Sequence, residues 1–397
     1  MIPGCYLCGL AQDSEGRYWA VGRSYGDGFP ATRAVQSAFG GGGTDAVALL
    51  LSADGASILF ATYLGGEGVD LAYRVAVDDL GSAYLCGWTT SAKFPVTAGA
   101  LQSEHGGGFD AFIVKLGAGG SGVHYATYLG GARAESALSI VVDARRRAYV
   151  TGLTGSSTLG AGIIPKRIGS GGGQDRDAYV ARLNEEGTRL EFLSAVGGSG
   201  NDSGTALALD ASGRVVLFGQ TTSTNFPTLN PIQASRAVPA AGEENPSDPR
   251  ASATVDHFLS VLDSEGGQLR FSTYFGGTGS EDALDLEPYI NEEIGLLFTE
   301  SGDVVVAADG RVWIASSSTS MDLPGSGGTP PPASRSDAYV ALLDPSAGRV
   351  DFLSYLGGSG DEGVRSLALD STARLWAAGS SGFSIRAPHF PSSPGVY

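Results

Sequence analysis

The chain has 397 residues, 42% of them hydrophobic, with 61 glycines and a net charge of −17 from 42 acidic and 25 basic side chains. Such a charge repels phosphate backbones and anionic lipid, so nucleic acid is set aside as a partner. No apolar run reaches the roughly 18 residues of a membrane span, which sets aside membrane insertion, and three cysteines make no disulfide framework.

In chain order the predicted elements are short strands. The first lies in "GCYLCGL", where Cys5 and Cys8 form a CxxC motif. Residues three apart on a strand point to opposite faces, so the two thiols do not chelate one ion and read as packing residues. The tetrapeptide YLCG returns at residues 84–87 in a second-strand context, so the first copy fits either a first or a second strand, and Cys86 reads as buried.

Three marker series then run along the chain. "FATYLGG", "YATYLGG", "FLSAVGG", "FSTYFGG" and "FLSYLGG" fall into register at Tyr63, Tyr128, Ser194, Tyr274 and Tyr355, with spacings of 65, 66, 80 and 81. An aspartate opening an apolar alternation recurs at Asp45, Asp110, Asp177, Asp256 and Asp337, at spacings of 65, 67, 79 and 81. A third series, a strand followed by a short polar turn and another strand, runs from "LAQDSEGRYWAVG" through "VAVDDLGSAYLCG" and "IVVDARRRAYVTG" to "LALDSTARLWAAG".

Series that keep one period describe one repeated unit. Taking residues 72–130, strands are predicted over 73–77, 83–88, 111–116 and 123–129, with a tight hairpin between the first two. Four such strands cannot bury both faces alone, so units must stack, and radial stacking gives a β-propeller. A linear solenoid is the competing arrangement, although its coils usually have shorter periods.

The cyclic order "TYLGG", "AVDDLGSAYLCGWTTSAKFP", "DAFIVKL" resembles the bacterial SBBP-type β-propeller repeat, found in large secreted or surface proteins. The resemblance covers nearly the whole chain. It implies a propeller and export, with an extracellular or cell-surface location although no signal peptide opens the chain; it implies no defined chemistry. The chain departs from the pattern at "GIIPKR", where other units have Phe-Pro, and at insertions 229–255 and 283–303.

The expected fold is therefore all-β: a single propeller domain over 1–397 with four-stranded antiparallel blades. Blades are expected near 10–66, 72–131, 138–198, 205–277, 304–358 and 364–397. The sixth is incomplete, with a third strand suggested by "FSIRA", and ring closure stays open.

Chemistry is sparse in the sequence. His105, His124, His257 and His389 fall at unrelated phases and form no HxxxH or HxH, so each reads as structural or solvent-exposed. No nucleophile elbow or phosphate loop is present in the context such motifs require. Past each "YLGG"-type start lies an acid: Asp70, Glu135, Asp202 beside Asn201, Glu281 before Asp282, and Glu362 after Asp361. On one face of a ring these acids would form a negative rim able to hold Ca²⁺ or to steer a cationic partner. The plainer expectation, and the favoured one, is that each accepts hydrogen bonds from its own Gly-rich turn; the Asp45, Asp110, Asp177, Asp256 and Asp337 series reads as structural.

The insertions are the features peculiar to this chain, and loops on a rigid scaffold are where binding is usually placed. The leading functional expectation is a non-enzymatic binding or scaffold module that engages a protein or glycan through one face, with membership of a longer multi-domain chain or assembly left open. One alternative is a propeller hydrolase or lyase with acids at the channel mouth; another is a structural spacer or filament component.

Overall fold

The turns of the third marker series show how the sequence sets the fold. Asp13 Oδ1 accepts hydrogen bonds from the backbone N–H of Glu15 at 3.0 Å and of Arg17 at 2.9 Å. Asp78 repeats this with Leu80 and Ser82, Asp143 with Arg145 and Arg147, Asp210 with Ser212 and Arg214, and Asp370 with Thr372 and Arg374. The fourth residue of each turn is left-handed: Gly16, Gly81 and Gly213 adopt it without a Cβ penalty, whereas Arg146 and Ala373 adopt it at φ 58° and 62°. An aspartate that caps its own turn fixes the register of the two strands it joins.

This computed structural model describes residues 2–170, 175–237, 255–281, 302–326, 336–357 and 360–381. Those residues form six antiparallel sheets. Sheet I holds β1 (Cys5–Gln12), β2 (Tyr18–Ser24), β3 (Asp45–Leu51) and β4 (Ile58–Leu64); sheet II holds β5 (Asp70–Val77), β6 (Ala83–Thr89), β7 (Asp110–Leu116) and β8 (Val123–Leu129). Sheet III comprises β9 (Glu135–Val142), β10 (Ala148–Thr154), β12 (Asp177–Leu183) and β13 (Leu190–Gly197), with a short fifth strand, β11 (Lys166–Gly169), beside β13. Sheet IV is β14 (Asp202–Leu209), β15 (Val215–Thr221), β16 (Asp256–Leu262) and β17 (Leu269–Phe275). Sheet V follows with β18 (Asp303–Val306), β19 (Val312–Ser318), β20 (Asp337–Asp344) and β21 (Arg349–Leu356), and sheet VI has β22 (Glu362–Leu369) and β23 (Leu375–Ser381).

The all-β class and the four-stranded antiparallel unit agree with the sequence. The first strands β5, β9, β14 and β22 open at the acid, so β5 starts at Asp70, three residues before its predicted start. The "YLCG" of residues 6–9 lies in a first strand, β1, and pairs with β2. "FSIRA" lies outside the described residues, as do 238–254 and 283–301 of the insertions.

The chain packs as two units, Met1–Arg167 with Gly172–Ala195, and Ile168–Gly171 with Val196–Tyr397. In the first, Trp19, Leu50 and Phe60 of sheet I meet Leu85, Phe112 and Tyr128 of sheet II; Tyr84, Ile113 and Tyr125 of sheet II meet Val150 and Tyr179 of sheet III. In the second, Phe218, Leu259 and Phe271 pack against Ile314, Tyr339 and Leu343. Each such side chain contributes about 1.5–3 kcal/mol by leaving water.

A glycine in the second strand permits the close fit of the first. Register shifts mark a bulge in the first strand between Ala72 and Arg74 and between Gly204 and Ala206. A Cβ on Gly87 would stand 1.8 Å from the Leu71 carbonyl oxygen, and one on Gly219 would stand 2.0 Å from that of Ser203. In sheet V the same position is Ser316, which follows Ala315, the residue of β19 that pairs with Asp303 at the start of β18.

Candidate functional site

The two acid series, separate in the sequence, meet across the first glycine of the "YLGG" turn. Asp45 opens β3 and Asp70 opens β5; Asp45 Oδ1 and Asp70 Oδ2 lie 2.6 and 2.7 Å from where a Cβ on Gly65 would stand. Asp256 and Glu281 flank Gly276 in the same way, with oxygens at 2.7 Å each. Asp110 crowds Gly130 and Asp337 crowds Gly357.

The five candidate acids are buried, with Asp70, Glu135, Asp202 and Glu281 at 0% exposure and Glu362 at 1%. They are not an exposed rim, and each stands in a different sheet junction. Asp70 Oδ2 accepts from Gly66 N–H and Ser91 Oγ at 2.9 Å each, and Thr89 Oγ1 donates to Oδ1. Glu135 accepts from Gly131 N–H at 2.6 Å and Thr154 Oγ1 at 3.0 Å. Asp202 accepts from Gly198 N–H at 2.8 Å and Ser223 Oγ at 2.9 Å, and Glu281 from Ser318 and Ser320. Backbone N–H groups aimed at a carboxylate satisfy it without a cation, so the geometry favours the turn role. Among the described residues no group of three or more His, Cys, Asp and Glu is placed to hold a metal ion.

Glutamine completes the junction, a role the sequence reading passed over. Gln36 Nε2 donates to Asp45 Oδ2 at 3.3 Å while its Oε1 accepts from Gly65 N–H at 3.1 Å. Gln102 does the same for Asp110 and Gly130, and Gln233 accepts from Gly276 N–H. The signal was present in "AVQS", "ALQS" and "PIQA". In sheet III the aspartate is held by Arg167 instead, at 2.7 Å from Asp177.

Burial governs the electrostatics here. It lifts Asp45 to about 6, helped by the charge of Asp70, and Asp256 to about 6 against the pull of Arg236. Burial also lifts Asp337 to about 6, with Glu362 and Asp361 adding repulsion. It raises Asp70, Asp110 and Glu135, and holds Glu281 well above the usual carboxylate range. Asp45 Oδ1, Asp110 Oδ1, Asp337 Oδ1 and Glu281 Oε2 are buried without a hydrogen-bond partner, as suits carboxyls held close to a like charge.

The repeat is broken in sheets IV and V. His257 stands where Ala46, Ala111, Ala178 and Ala338 stand in the other third strands. It is fully buried, stacked on Phe218 at 4.9 Å, and its Nδ1 shares a 2.9 Å hydrogen bond with Tyr339 OH, while Nε2 has no partner. Burial drives its pKa down to about 3, so the imidazole is neutral. The break from "DA" to "DH" was the sequence signal.

Glu281 N–H donates to Val255 O at 2.8 Å, so the acid two positions before the second insertion bonds the last residue of the first. The same bond joins Asp70 to Thr44, Glu135 to Phe109 and Glu362 to Ser336. The repeat geometry itself therefore sets the last residue of the first insertion beside the acid that precedes the second.

Of the remaining candidates, Cys86 is buried as expected, whereas Cys5 and Cys8 are half-buried, with Cys5 Sγ donating to Ile2 O at 3.7 Å. His105 lies edge-on to Tyr128, His124 is exposed, and His389 is outside the described residues.

Residues 59–95, the stretch from the second residue of β4 to "KFP", match the family model SBBP, described as a beta-propeller repeat. No curated protein matches the chain. Among solved structures it is similar to a mutant of NanB sialidase from Streptococcus pneumoniae, at 8% identity and TM-score 0.43, covering 94% of this chain and 65% of that one. It is similar to a protein of unknown function from Dyadobacter fermentans, at 10% identity and TM-score 0.41, covering 91% and 86%. A third is the beta-propeller domain of the Trilobed protease from Pyrococcus furiosus, at 8% identity and TM-score 0.34, covering 99% and 100%. Likenesses this remote carry no argument about activity.

Proposed function

We propose that this chain is a non-enzymatic binding module, a propeller scaffold of a secreted or cell-surface bacterial protein, that engages a protein or glycan through the loop ends of sheets IV and V. The observation that supports this reading is the bond from Glu281 N–H to Val255 O, which sets the last residue of one long insertion beside the acid two positions before the other. A scaffold that repeats its packing in every sheet and varies two adjoining loops has the layout of a binding protein. The acids of the junctions are buried and already hydrogen-bonded, which suits support of the loops better than acid–base chemistry.

Arrays of immobilised oligosaccharides and of extracellular proteins test the reading. They are probed with the full chain and with a chain in which residues 238–254 and 282–301 are each replaced by a short Gly-Ser turn. Binding by the full chain, lost on replacement at unchanged melting temperature, is expected. Binding that survives the replacement overturns the placement of the site.

A further inference from the structure

Three positions of sheet I leave the repeat together. The next-to-last residue of the second strand is Trp88, Leu153, Gln220 and Ser317 in sheets II to V, facing Ala111, Ala178, His257 and Ala338 of the third strand. All four are buried. In sheet I the residue facing Ala46 is Arg23, and it is only half-buried. Its neighbour on the first strand is Tyr6, where sheets II, III and IV have Leu71, Ser136 and Ser203. Two places beyond it stands Tyr25, where those sheets and sheet V have Thr90, Gly155, Thr222 and Thr319.

The three side chains meet. The Arg23 guanidinium carbon lies 5.7 Å from the centre of the Tyr6 ring and 5.3 Å from that of Tyr25, and the two residues are 53% and 57% exposed. Arg23 Nε is buried without a hydrogen-bond partner, and among the described residues no carboxylate pairs with the guanidinium. Arg17, Arg147 and Arg214, by contrast, each close on an aspartate. Stacking on two rings holds the cation in place but supplies no acceptor for its N–H groups. This is not the outer face of the first sheet. Side chains alternate along β2, so Arg23 lies on the side of Trp19 and Val21, which share a core with Leu85 and Phe112 of sheet II. Sheets I and II both lie wholly among the described residues.

We propose that Tyr6, Arg23 and Tyr25 form a binding site for a single carboxylate carried on a sugar ring, a hexuronic acid at the end of a glycan. The planar fork of a guanidinium matches a carboxylate with two parallel hydrogen bonds, and an arginine already stacked loses little freedom in making them. Tyrosine offers a flat ring with a polar tip, which suits the mixed surface of a sugar. A peptide's terminal carboxylate fits less well. Such groups are held by backbone amides, and the N–H of Tyr25 already donates to Gly4 O at 3.4 Å. One carboxylate is favoured over a polyanion, which the net charge of −17 repels. The site lies in sheet I and uses neither insertion.

The experiment titrates the full chain with a trisaccharide ending in one glucuronic acid and follows binding by calorimetry. One-to-one binding with Kd of about 1 mM or tighter is expected. The methyl ester, which keeps the sugar and loses the charge, should bind at least about tenfold more weakly. Arg23→Gln should abolish binding at unchanged melting temperature, and Arg23→Lys should restore little of it, because a point charge lacks the fork. Tyr25→Ala removes an exposed ring, so it tests the site even if the arginine variants fold poorly, and should weaken binding about tenfold. The chain with both insertions replaced should bind the trisaccharide as the parent does, which keeps this site separate from the loop site. No binding at about 10 mM, equal binding of the ester, or binding untouched by Tyr25→Ala overturns the proposal, as does binding lost on replacing the insertions. Equal binding of an acetylated glutamate amide overturns it in favour of a protein carboxylate.

Discussion

Asp45 and Asp70 each direct a carboxylate oxygen at the same point above Gly65, one from the start of a third strand and one from the start of the next sheet's first strand. The glycine is required by this meeting and not by its backbone angles, because a side chain there would begin 2.5 Å from the Asp45 carboxyl carbon. Gly65→Ala is expected to lower stability by about 2–3 kcal/mol in denaturant unfolding. Gly28→Ala, whose Cβ would meet nothing closer than 3.8 Å, should stay within about 0.5 kcal/mol.

Mild acid should stabilise the fold. Asp45, Asp256 and Asp337 sit at about 6 in the folded chain, above the usual carboxylate value, so the folded state takes up protons before the unfolded one. Their contribution is complete below the unfolded value near 4 and is lost as pH rises through 6. Asp344, Asp309 and Asp370, held low by hydrogen bonds from Ser346, Arg311 and Thr372, act oppositely and lose their contribution as pH falls below about 4. Calorimetric melting temperatures should therefore climb from pH 8 to about pH 5 and fall below about pH 4. A melting temperature that falls steadily from pH 8 to pH 5 would refute the raised carboxyl values.

His257 works against that gain. Its folded value of about 3 lies below the unfolded value near 6.5, so the unfolded chain protonates first and stability is drained as pH falls from about 6.5. His257→Gln keeps a polar side chain toward Tyr339 without a titrating ring. The difference in melting temperature, variant minus parent, should grow more favourable from pH 7 to pH 4; a constant difference would show that His257 is not buried as a neutral imidazole.

The bulge positions differ by sheet. Gly87→Ser puts a side chain 1.8 Å from the Leu71 carbonyl oxygen and should cost at least about 3 kcal/mol or prevent folding. Ser316→Gly, which restores the glycine found at this position in the other sheets, should change stability by no more than about 1 kcal/mol. Urea unfolding of the two variants measures both.

Millimolar Ca²⁺ should leave the melting temperature where an EDTA control sets it, because the N–H groups of Gly66, Gly131 and Gly198 already occupy the acids. A concentration-dependent rise, lost on neutralising Asp70, Glu135 and Glu362, would instead place the ion at these carboxylates.

The sequence by itself determined the unit: its period, its four strands, its capped hairpin turns, and the place of Asp45 and Asp110 at the head of a third strand. These are local matters, fixed by side-chain alternation and by residues that hydrogen-bond their own turns. Tertiary structure alone decided that Asp45 meets Asp70, that Gln36 bridges Asp45 to Gly65, and that Val255 bonds Glu281. Each joins positions in different sheets or loops, and a single chain's pattern does not state which loops become neighbours. The structure likewise turned the supposed rim inward. An acid at the start of a strand reads as solvated until the next sheet is laid over it, and packing then leaves hydrogen bonds from its own turn and the neighbouring strand as its means of staying polar.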